Sequence, residues 1–218
     1  GHLDVPYRLQ ARPEDVSTAT AYGNFDYPRA VAGGLDAPFM AIYTPSELEG
    51  EGLAKEMADE LIDMVWDIAL RAPDRFSIAL SANAVRQNHR EGTISLPMGM
   101  ENGSPIEGDL ENLQYFYDRG IRYLTLDHNC SNHIADSSRD DPLWDGLSPF
   151  GEEVVREMNR LGMMVDVSHI SAAAFWDVME VTGAPVIASH SGPRHFTPGW
   201  PRNLSDEMIR ALADGGGM

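Results

Sequence analysis

Five side chains able to bind a metal ion stand at or near the ends of short apolar segments: His2, Asp4, Glu101, His169 and His190. Short continuous apolar segments are typical of strands in a parallel sheet that is covered on both faces. The carboxyl ends of parallel strands meet at one edge of the sheet, where such folds place their chemistry. We therefore expect the five side chains to lie close together.

Imidazole and carboxylate groups form a ligand set suited to transition metals, with zinc the first candidate. His2 and Asp4 are two residues apart, so on a strand both side chains project from the same face. Two metal ions with only five protein ligands must share one of them. A carboxylate can bridge through its two oxygens, and Asp4 is already paired in sequence with His2. Glu101 is therefore the expected bridge.

Each of these residues also has an interpretation without a metal. A single His-x-Asp pair is a weak motif. A histidine at a strand end is usually a hydrogen-bonded structural residue, and Glu101 could be a solvated carboxylate in a loop. The position of all five at predicted carboxyl strand ends favours a shared metal site.

Two serines directly precede histidines, in Ser168-His169 and Ser189-His190. Adjacent residues on a strand point to opposite faces of the sheet. We therefore expect neither serine to contact the imidazole beside it, and neither pair to form part of a catalytic triad.

The elements that must position these residues alternate between strand-like and helix-like composition. The central stretch, 163–191, indicates a strand, a helix at 172–181 and a second strand. Further strands are predicted from the following ranges: a stub within 1–9, then 37–43, 76–80, 93–100 and 121–126. Further helices are predicted from these: 48–72, 82–90, 110–119, 150–161 and 204–214. The segment 10–34 is polar and contains several Pro and Gly residues, so we expect a surface loop there.

This alternation favours a parallel α/β fold. A closed eight-stranded barrel typically needs about 250 residues, and this chain has 218. We expect a single domain over residues 1–218, either an incomplete barrel or an open sheet.

Composition excludes some classes of function. Sixteen Lys and Arg against 34 Asp and Glu give a formal charge of −18, which disfavours nucleic-acid binding through phosphate contacts. No apolar segment approaches the ~20 residues of a membrane span. Cys130 is the single cysteine, so no internal disulfide can form. No signal peptide is visible; we expect a cytoplasmic protein, with a periplasmic or secreted one as the alternative.

The motifs together resemble the membrane dipeptidase (renal dipeptidase) family, peptidase family M19. The matching segments are GHLDVP, GMENG, RYLTLDHNCSNHIADS, MVDVSHIS, PVIASHS and PRNLSDE. The resemblance implies a metallo-dependent hydrolase on a TIM-type (β/α)₈ barrel, with two zinc ions. It assigns His2, Asp4 and Glu101 to the first ion. It assigns Glu101, His169 and His190 to the second.

The same resemblance implies a zinc-dependent dipeptidase that hydrolyses the peptide bond through a metal-bridging hydroxide. Glu101 and His128 would be catalytic, His128 would contact the substrate near its scissile carbonyl, and Arg202 would hold the dipeptide's carboxylate. The sequence leaves the oligomeric state open, with a homodimer as one option. The alternatives are another binuclear-metal barrel hydrolase, acting on lactones, amides or phosphoesters, and a non-catalytic metal-binding fragment. The fragment is kept as an alternative because the family's acid/base aspartate, after the eighth strand, has no counterpart here.

Three positions depart from the family pattern, of which Leu3 is expected to face away from the metals and the other two bear on the site. Asn102 stands where glycine is usual after the bridging glutamate, which is expected to alter the turn. Asp127 stands where we expect threonine before His128. An acid at that position is expected to raise the proton affinity of the neighbouring imidazole.

Overall fold

The computed structural model describes residues 1–218 as seven strands and eight helices. The strands are β1 (His2–Leu3), β2 (Phe39–Tyr43), β3 (Phe76–Ile78), β4 (Ile94–Leu96), β5 (Met98–Glu101), β6 (Ile121–Thr125) and β7 (Met164–Asp166). The helices are α1 (Val5–Ala11), α2 (Tyr27–Gly33), α3 (Ala54–Arg71), α4 (Ala82–Glu91), α5 (Leu110–Arg119), α6 (Pro149–Leu161), α7 (Ala172–Val181) and α8 (Asp206–Asp214).

The main sheet has five parallel strands in the order β1-β2-β5-β6-β7. Its register aligns Tyr43 with Glu101, Glu101 with Thr125, and Thr125 with Asp166. The carboxyl ends of four neighbouring strands therefore lie side by side, as a strand–helix repeat requires. This confirms the predicted parallel α/β fold.

Two predicted strands differ in the structure. The segment 93–100 forms two strands, because β4 pairs with β3 in a separate two-stranded sheet and β5 joins the main sheet. Pro97 separates them and has no N–H to donate to a ladder. The second strand of the central stretch is reduced to one parallel bridge, between Ile187 and Asp166. His190 consequently lies in a turn and does not follow a regular strand.

The N-terminal segment contains two helices that sequence patterns did not predict. β1 is only two residues long and α1 begins at Val5, with Pro6 in its first turn. α2 begins after Asp26, whose carboxylate accepts a hydrogen bond from Arg29 N at 2.9 Å. Each helix has seven residues, too few to show a clear helical period of apolar residues. The prediction of a surface loop over 10–34 was wrong at both ends, since α1 extends to Ala11 and α2 covers Tyr27–Gly33.

One hydrophobic core lies between the helices and the face of the main sheet that they cover. Alternate strand residues such as Met40, Ile42 and Leu124 are fully buried there. The side chains between them face the opposite side of the sheet, where the polar residues collect. Serine caps fix where α6 and α7 begin: Ser148 and Ser171 accept from the backbone of Gly151 and Ala174. No helix combines the length and the apolar character needed to cross a membrane.

Candidate metal centre

Glu101, the last residue of β5, stands at the centre of the polar cluster. Its Oε2 lies 3.2 Å from His2 Nε2. Its Oε1 lies 3.2 Å from His169 Nε2 and 3.2 Å from His190 Nε2. The two oxygens of one carboxylate thus face histidines from opposite ends of the sheet, as a bridging ligand would.

Burial and hydrogen bonding act in opposite directions on these groups. Burial alone would raise the pKa of Glu101, but hydrogen bonds from His169, His190 and His2 hold it below its ordinary value. Burial would lower the pKa of His2, but Asp4 and Glu101 raise it to about 9. Burial lowers the pKa of His169 to about 4, although Glu101 partly opposes this. At neutral pH Glu101 is therefore ionised and His169 is neutral.

The two remaining predicted ligands differ: Asp4 joins the cluster through His2 alone and belongs to neither group of converging donor atoms, whereas His190 contacts both Glu101 and His169. Asp4 Oδ1 is 3.2 Å from His2 Nε2, with 63% of its side chain exposed. His169 Nε2 and His190 Nε2 are 2.9 Å apart. Donor atoms within 4.8 Å of one another form two overlapping groups, one of His2, Glu101 and His190 and the other of Glu101, His128 and His169. These groups divide the histidines differently from the family pattern. His169 and His190 contact the same Glu101 oxygen, but the His190 ring also stacks on that of His2. The division of these ligands between two ions therefore stays a prediction.

The backbone of His169 is unusual. Its φ of 78° lies in the left-handed region, which is sparsely populated by residues other than glycine and is often found at functional sites. Its Nδ1 is buried and has no hydrogen-bond partner. The fold therefore keeps His169 Nε2 directed at Glu101 at a cost in backbone strain.

His128 lies beside this cluster. Its Nε2 is 3.8 Å from Glu101 Oε1, and its ring packs against Tyr43 and His169 with centroids 4.8 and 4.4 Å apart. Burial lowers the pKa of His128, with Arg202 and His190 acting in the same direction. The expectation that Asp127 raises the proton affinity of His128 was wrong. Asp127 is itself fully buried without a hydrogen-bond partner, and burial raises its pKa well above the usual value.

Arg202 reaches the cluster from the loop before α8. Its guanidinium donates to Ser191 Oγ at 2.7 Å and to the carbonyl oxygen of His190 at 3.3 Å. Burial lowers the pKa of Arg202, while the charges of Asp166, Glu101 and Asp127 oppose the shift. No carboxylate forms an ion pair with it, although the chain holds twice as many acids as bases. The guanidinium of Arg202 can therefore bind an anionic group of a ligand.

Sequence patterns missed the polar residues behind the histidines. Tyr123 Oη is 2.6 Å from His2 Nδ1. Ser189 Oγ is 2.7 Å from His190 Nδ1 and 2.6 Å from Asp166 Oδ2. The expectation that Ser189 would not contact its neighbour was wrong, because these residues form a turn and not a strand. An acid inside the apolar segment Met163–Val167 was the signal that could have identified Asp166.

Asn102 keeps a glycine-like turn after Glu101. Its φ is 82°, and asparagine tolerates the left-handed region better than most residues. Its side chain donates to Thr44 O at 3.0 Å and accepts from Ser104 Oγ and Asn132 Nδ2. These hydrogen bonds hold the left-handed conformation, which a glycine would adopt without strain. The expected difference from the family's turn stays a prediction.

The residues fit a divalent metal. The carboxylate of Glu101 and three imidazole nitrogens converge without any Lys or Arg between them, and this is a zinc-type donor set. Two Nε2 atoms 2.9 Å apart direct lone pairs at each other unless a proton or a cation lies between them. A bound cation would satisfy the lone pairs of these nitrogens and of Glu101 Oε1.

Comparisons with known proteins show the family of the chain. The sequence pattern of the family described as membrane dipeptidase (peptidase family M19) matches residues 1–218. The dipeptidase aclJ of Aspergillus oryzae is 36% identical over 208 residues, which cover 90% of this chain and 48% of the relative. The solved structure of the dipeptidase AC, described as a metallo peptidase of family M19, is 29% identical with a TM-score of 0.91; the match covers all of this chain and 69% of that one.

A third comparison is the structure of a metallo peptidase from Rhodobacter sphaeroides, liganded with a phosphinate mimic of the dipeptide L-Ala-D-Ala. It is 26% identical with a TM-score of 0.90, over all of this chain and 71% of that one. The chain spans about half the length of the curated relative it matches. These similarities identify its five-stranded parallel sheet as part of a TIM-type barrel of the metallo-dependent hydrolase kind. The chain belongs to the membrane dipeptidase family, peptidase family M19.

Proposed function

We propose that the protein is a metal-dependent dipeptidase that binds two zinc ions through His2, Asp4, Glu101, His169 and His190. The observation that carries this proposal is the position of Glu101: its Oε2 lies 3.2 Å from His2 Nε2, and its Oε1 lies 3.2 Å from the Nε2 atoms of both His169 and His190. Family membership supports the activity. When bound, the metal ions would supply Lewis acidity that activates water and polarises the peptide carbonyl.

His128 is proposed to hold the substrate's scissile carbonyl. Its Nε2 lies near the bridging carboxylate, where that carbonyl must approach the metals. Burial lowers the pKa of His128, so the imidazole is neutral at pH 7. A neutral imidazole donates one hydrogen bond, and a donor directed at the developing oxyanion stabilises the transition state.

Arg202 is proposed to bind the dipeptide's terminal carboxylate. Its guanidinium is half-buried, has no acidic partner and contacts the backbone of His190. A guanidinium presents its donors in a planar fork that matches a carboxylate. A relative liganded with a dipeptide mimic supports a substrate of this size. The same feature disfavours lactones and phosphotriesters, which carry no free carboxylate.

The test compares one dipeptide with its C-terminal amide, in the wild-type protein and in Arg202→Ala and Arg202→Lys. We expect Arg202→Ala to lower kcat/KM for the free dipeptide by ~30-fold or more, because a buried charged hydrogen bond contributes roughly 2–5 kcal/mol. The amide has no carboxylate to lose, so its hydrolysis should change little. Arg202→Lys keeps the charge and should recover part of the loss.

Arg210→Ala is the matched control, since Arg210 is an exposed arginine of α8 outside the site. Equal losses for the acid and the amide would contradict the carboxylate role. A wild-type protein that hydrolyses neither, with zinc present, would contradict the proposed activity.

A further inference from the structure

Asp166 is a fully buried carboxylate at the end of β7, behind the proposed metal ligands. Its Oδ1 accepts hydrogen bonds from the backbone N–H groups of Ser168 and Ser189, at 3.1 and 2.9 Å. Its Oδ2 is 2.6 Å from both Thr125 Oγ1 and Ser189 Oγ. Four hydrogen bonds match the full accepting capacity of an ionised carboxylate.

The proton of Ser189 is therefore assigned by elimination. An ionised carboxylate can only accept, so at 2.6 Å the Ser189 hydroxyl must donate its one proton to Asp166. The oxygen of Ser189 then has only lone pairs left to offer His190 Nδ1, which lies 2.7 Å away. Nδ1 must be the donor in that contact, and in a neutral imidazole Nε2 then carries no proton.

We propose that Asp166 and Ser189 are positioning residues, which act through one relay of hydrogen bonds to hold His190 as its Nδ1–H tautomer with Nε2 free to bind metal. The inference rests on the proposed function only in taking His190 as a ligand. A metal-binding histidine commonly donates its second ring N–H to a group behind it, which fixes the ring and its tautomer. Here a serine stands between the carboxylate and the imidazole.

The fold explains why His190 needs this support. The segment before it forms only one bridge to the sheet, between Ile187 and Asp166, and His190 lies in a turn. The relay joins that turn to β7 through Asp166 and to β6 through Thr125. It therefore fixes a ligand that regular strand pairing does not reach.

A similar contact supports His2, whose ring stacks on that of His190 with centroids 4.1 Å apart. Tyr123, on β6, places its Oη 2.6 Å from His2 Nδ1, again leaving Nε2 directed at Glu101. Ser189 is not a nucleophile in this arrangement. It lies on the Nδ1 side of His190, whereas the Nε2 side faces Glu101 and the space for the metals.

The first experiment reads the tautomer directly. Long-range ¹H–¹⁵N correlation spectra of the wild-type protein, labelled at histidine nitrogens and purified without metal, should show His190 with a protonated Nδ1 and a bare Nε2. A wild-type spectrum showing Nε2–H would overturn the proposal, whatever the variants do.

The second experiment compares Ser189→Ala, Ser189→Thr and the control Ser148→Ala by zinc titration against a competing chelator. Ser189→Ala should weaken zinc binding by ~10- to 100-fold, the usual effect of losing such a supporting group, and should mix the His190 tautomers. Ser189→Thr retains the hydroxyl and should restore both. Ser148 caps α6 away from the site, so its loss should lower stability without changing zinc affinity.

Unchanged zinc affinity and an unchanged His190 spectrum in Ser189→Ala would refute the relay while leaving the metal site intact. Failure of the wild-type protein to bind zinc would instead refute the proposed function. If Ser189→Ala does not fold, the wild-type tautomer still decides the question.

Discussion

At the scale of single residues, Glu101 connects two sets of histidines that lie far apart in the sequence. Its pKa is held below the ordinary value although it is buried, because three imidazoles face it. A buried charge is stable only with compensating partners. The residue is therefore specialised for contact with cations, either protonated imidazole or metal.

Removing that carboxylate should reduce metal binding. We expect the wild-type protein to contain about two zinc ions per chain and Glu101→Ala to lose at least one, because both proposed sites share this ligand. Metal analysis after dialysis measures the stoichiometry. Glu153→Ala, an exposed acid of α6, is the control. Glu101→Ala protein that retained both ions with unchanged affinity would exclude the bridging role.

Metal binding should also release a proton from His2. The pKa of His2 in the metal-free protein is raised to about 9, so its imidazole is protonated at pH 7, whereas a metal ligand must be deprotonated. Zinc affinity should therefore rise as the pH increases from ~7 to ~9 and level off above that. His169, with a pKa lowered to about 4, should contribute nothing in this range.

Calorimetry in buffers of different ionisation enthalpy counts the released protons, with about one expected per chain from His2 near pH 7. His133→Gln is a suitable control, because His133 pairs with Glu49 at 2.6 Å outside the metal cluster. An affinity that does not change between pH 7 and 9 would contradict this prediction.

At the scale of elements, the register between β5 and β6 leaves space for the Tyr123 side chain that contacts His2. Gly99 pairs with Tyr123, and a Cβ atom at residue 99 would overlap the Tyr123 ring. A glycine inside a strand often marks such a close approach. The ring can therefore cross β5 and place its hydroxyl on His2.

Gly99→Ala should consequently destabilise the protein and disturb the metal site together. Overpacking in a core costs typically 1–3 kcal/mol, and displacement of Tyr123 removes the contact to His2. Denaturant unfolding and zinc titration measure the two effects. Gly33→Ala, at the end of α2 where a Cβ meets nothing within 4 Å, is the control and should be neutral or slightly stabilising. A Gly99→Ala protein with wild-type stability would show that the ring can move freely.

At the scale of the whole molecule, the formal charge of −18 opposes folding through self-repulsion. It also creates a negative potential that favours approach of metal cations, so the acidic composition and the metal site are consistent with each other. The half-buried guanidinium of Arg202 is a positive group within this acidic surface, at the place where we propose that the substrate carboxylate binds.

Added salt should therefore raise the thermal stability of the metal-free protein. The Debye length falls from about 30 Å at 0.01 M to about 8 Å at 0.15 M salt, which weakens repulsion over the surface more than it weakens short ion pairs. We expect Tm to increase over this range of sodium chloride, by a few degrees. A constant or falling Tm would show that the exposed ion pairs outweigh the net charge.

The sequence by itself determined the alternation of strands and helices and the residues that form the cluster. Apolar segments and helix-ending glycines such as Gly120 and Gly162 are local signals, and the helices they bound were predicted within one or two residues. The predicted ligands His2, Glu101, His169 and His190 do meet at one edge, because parallel strands must present their carboxyl ends together. Helices of seven residues escaped prediction, since their local signals are short.

Only the tertiary structure decided how the cluster is held. The contacts of Tyr123 with His2 join residues 121 positions apart, and those of Thr125 with Asp166 join residues 41 positions apart. Such pairs depend on sheet register, which no local pattern encodes. The division of 93–100 between two sheets and the turn that brings Ser189 onto His190 depend equally on long-range packing. The residue types required for the chemistry are therefore readable in the sequence, whereas their orientation follows from contacts that exist only in the folded chain.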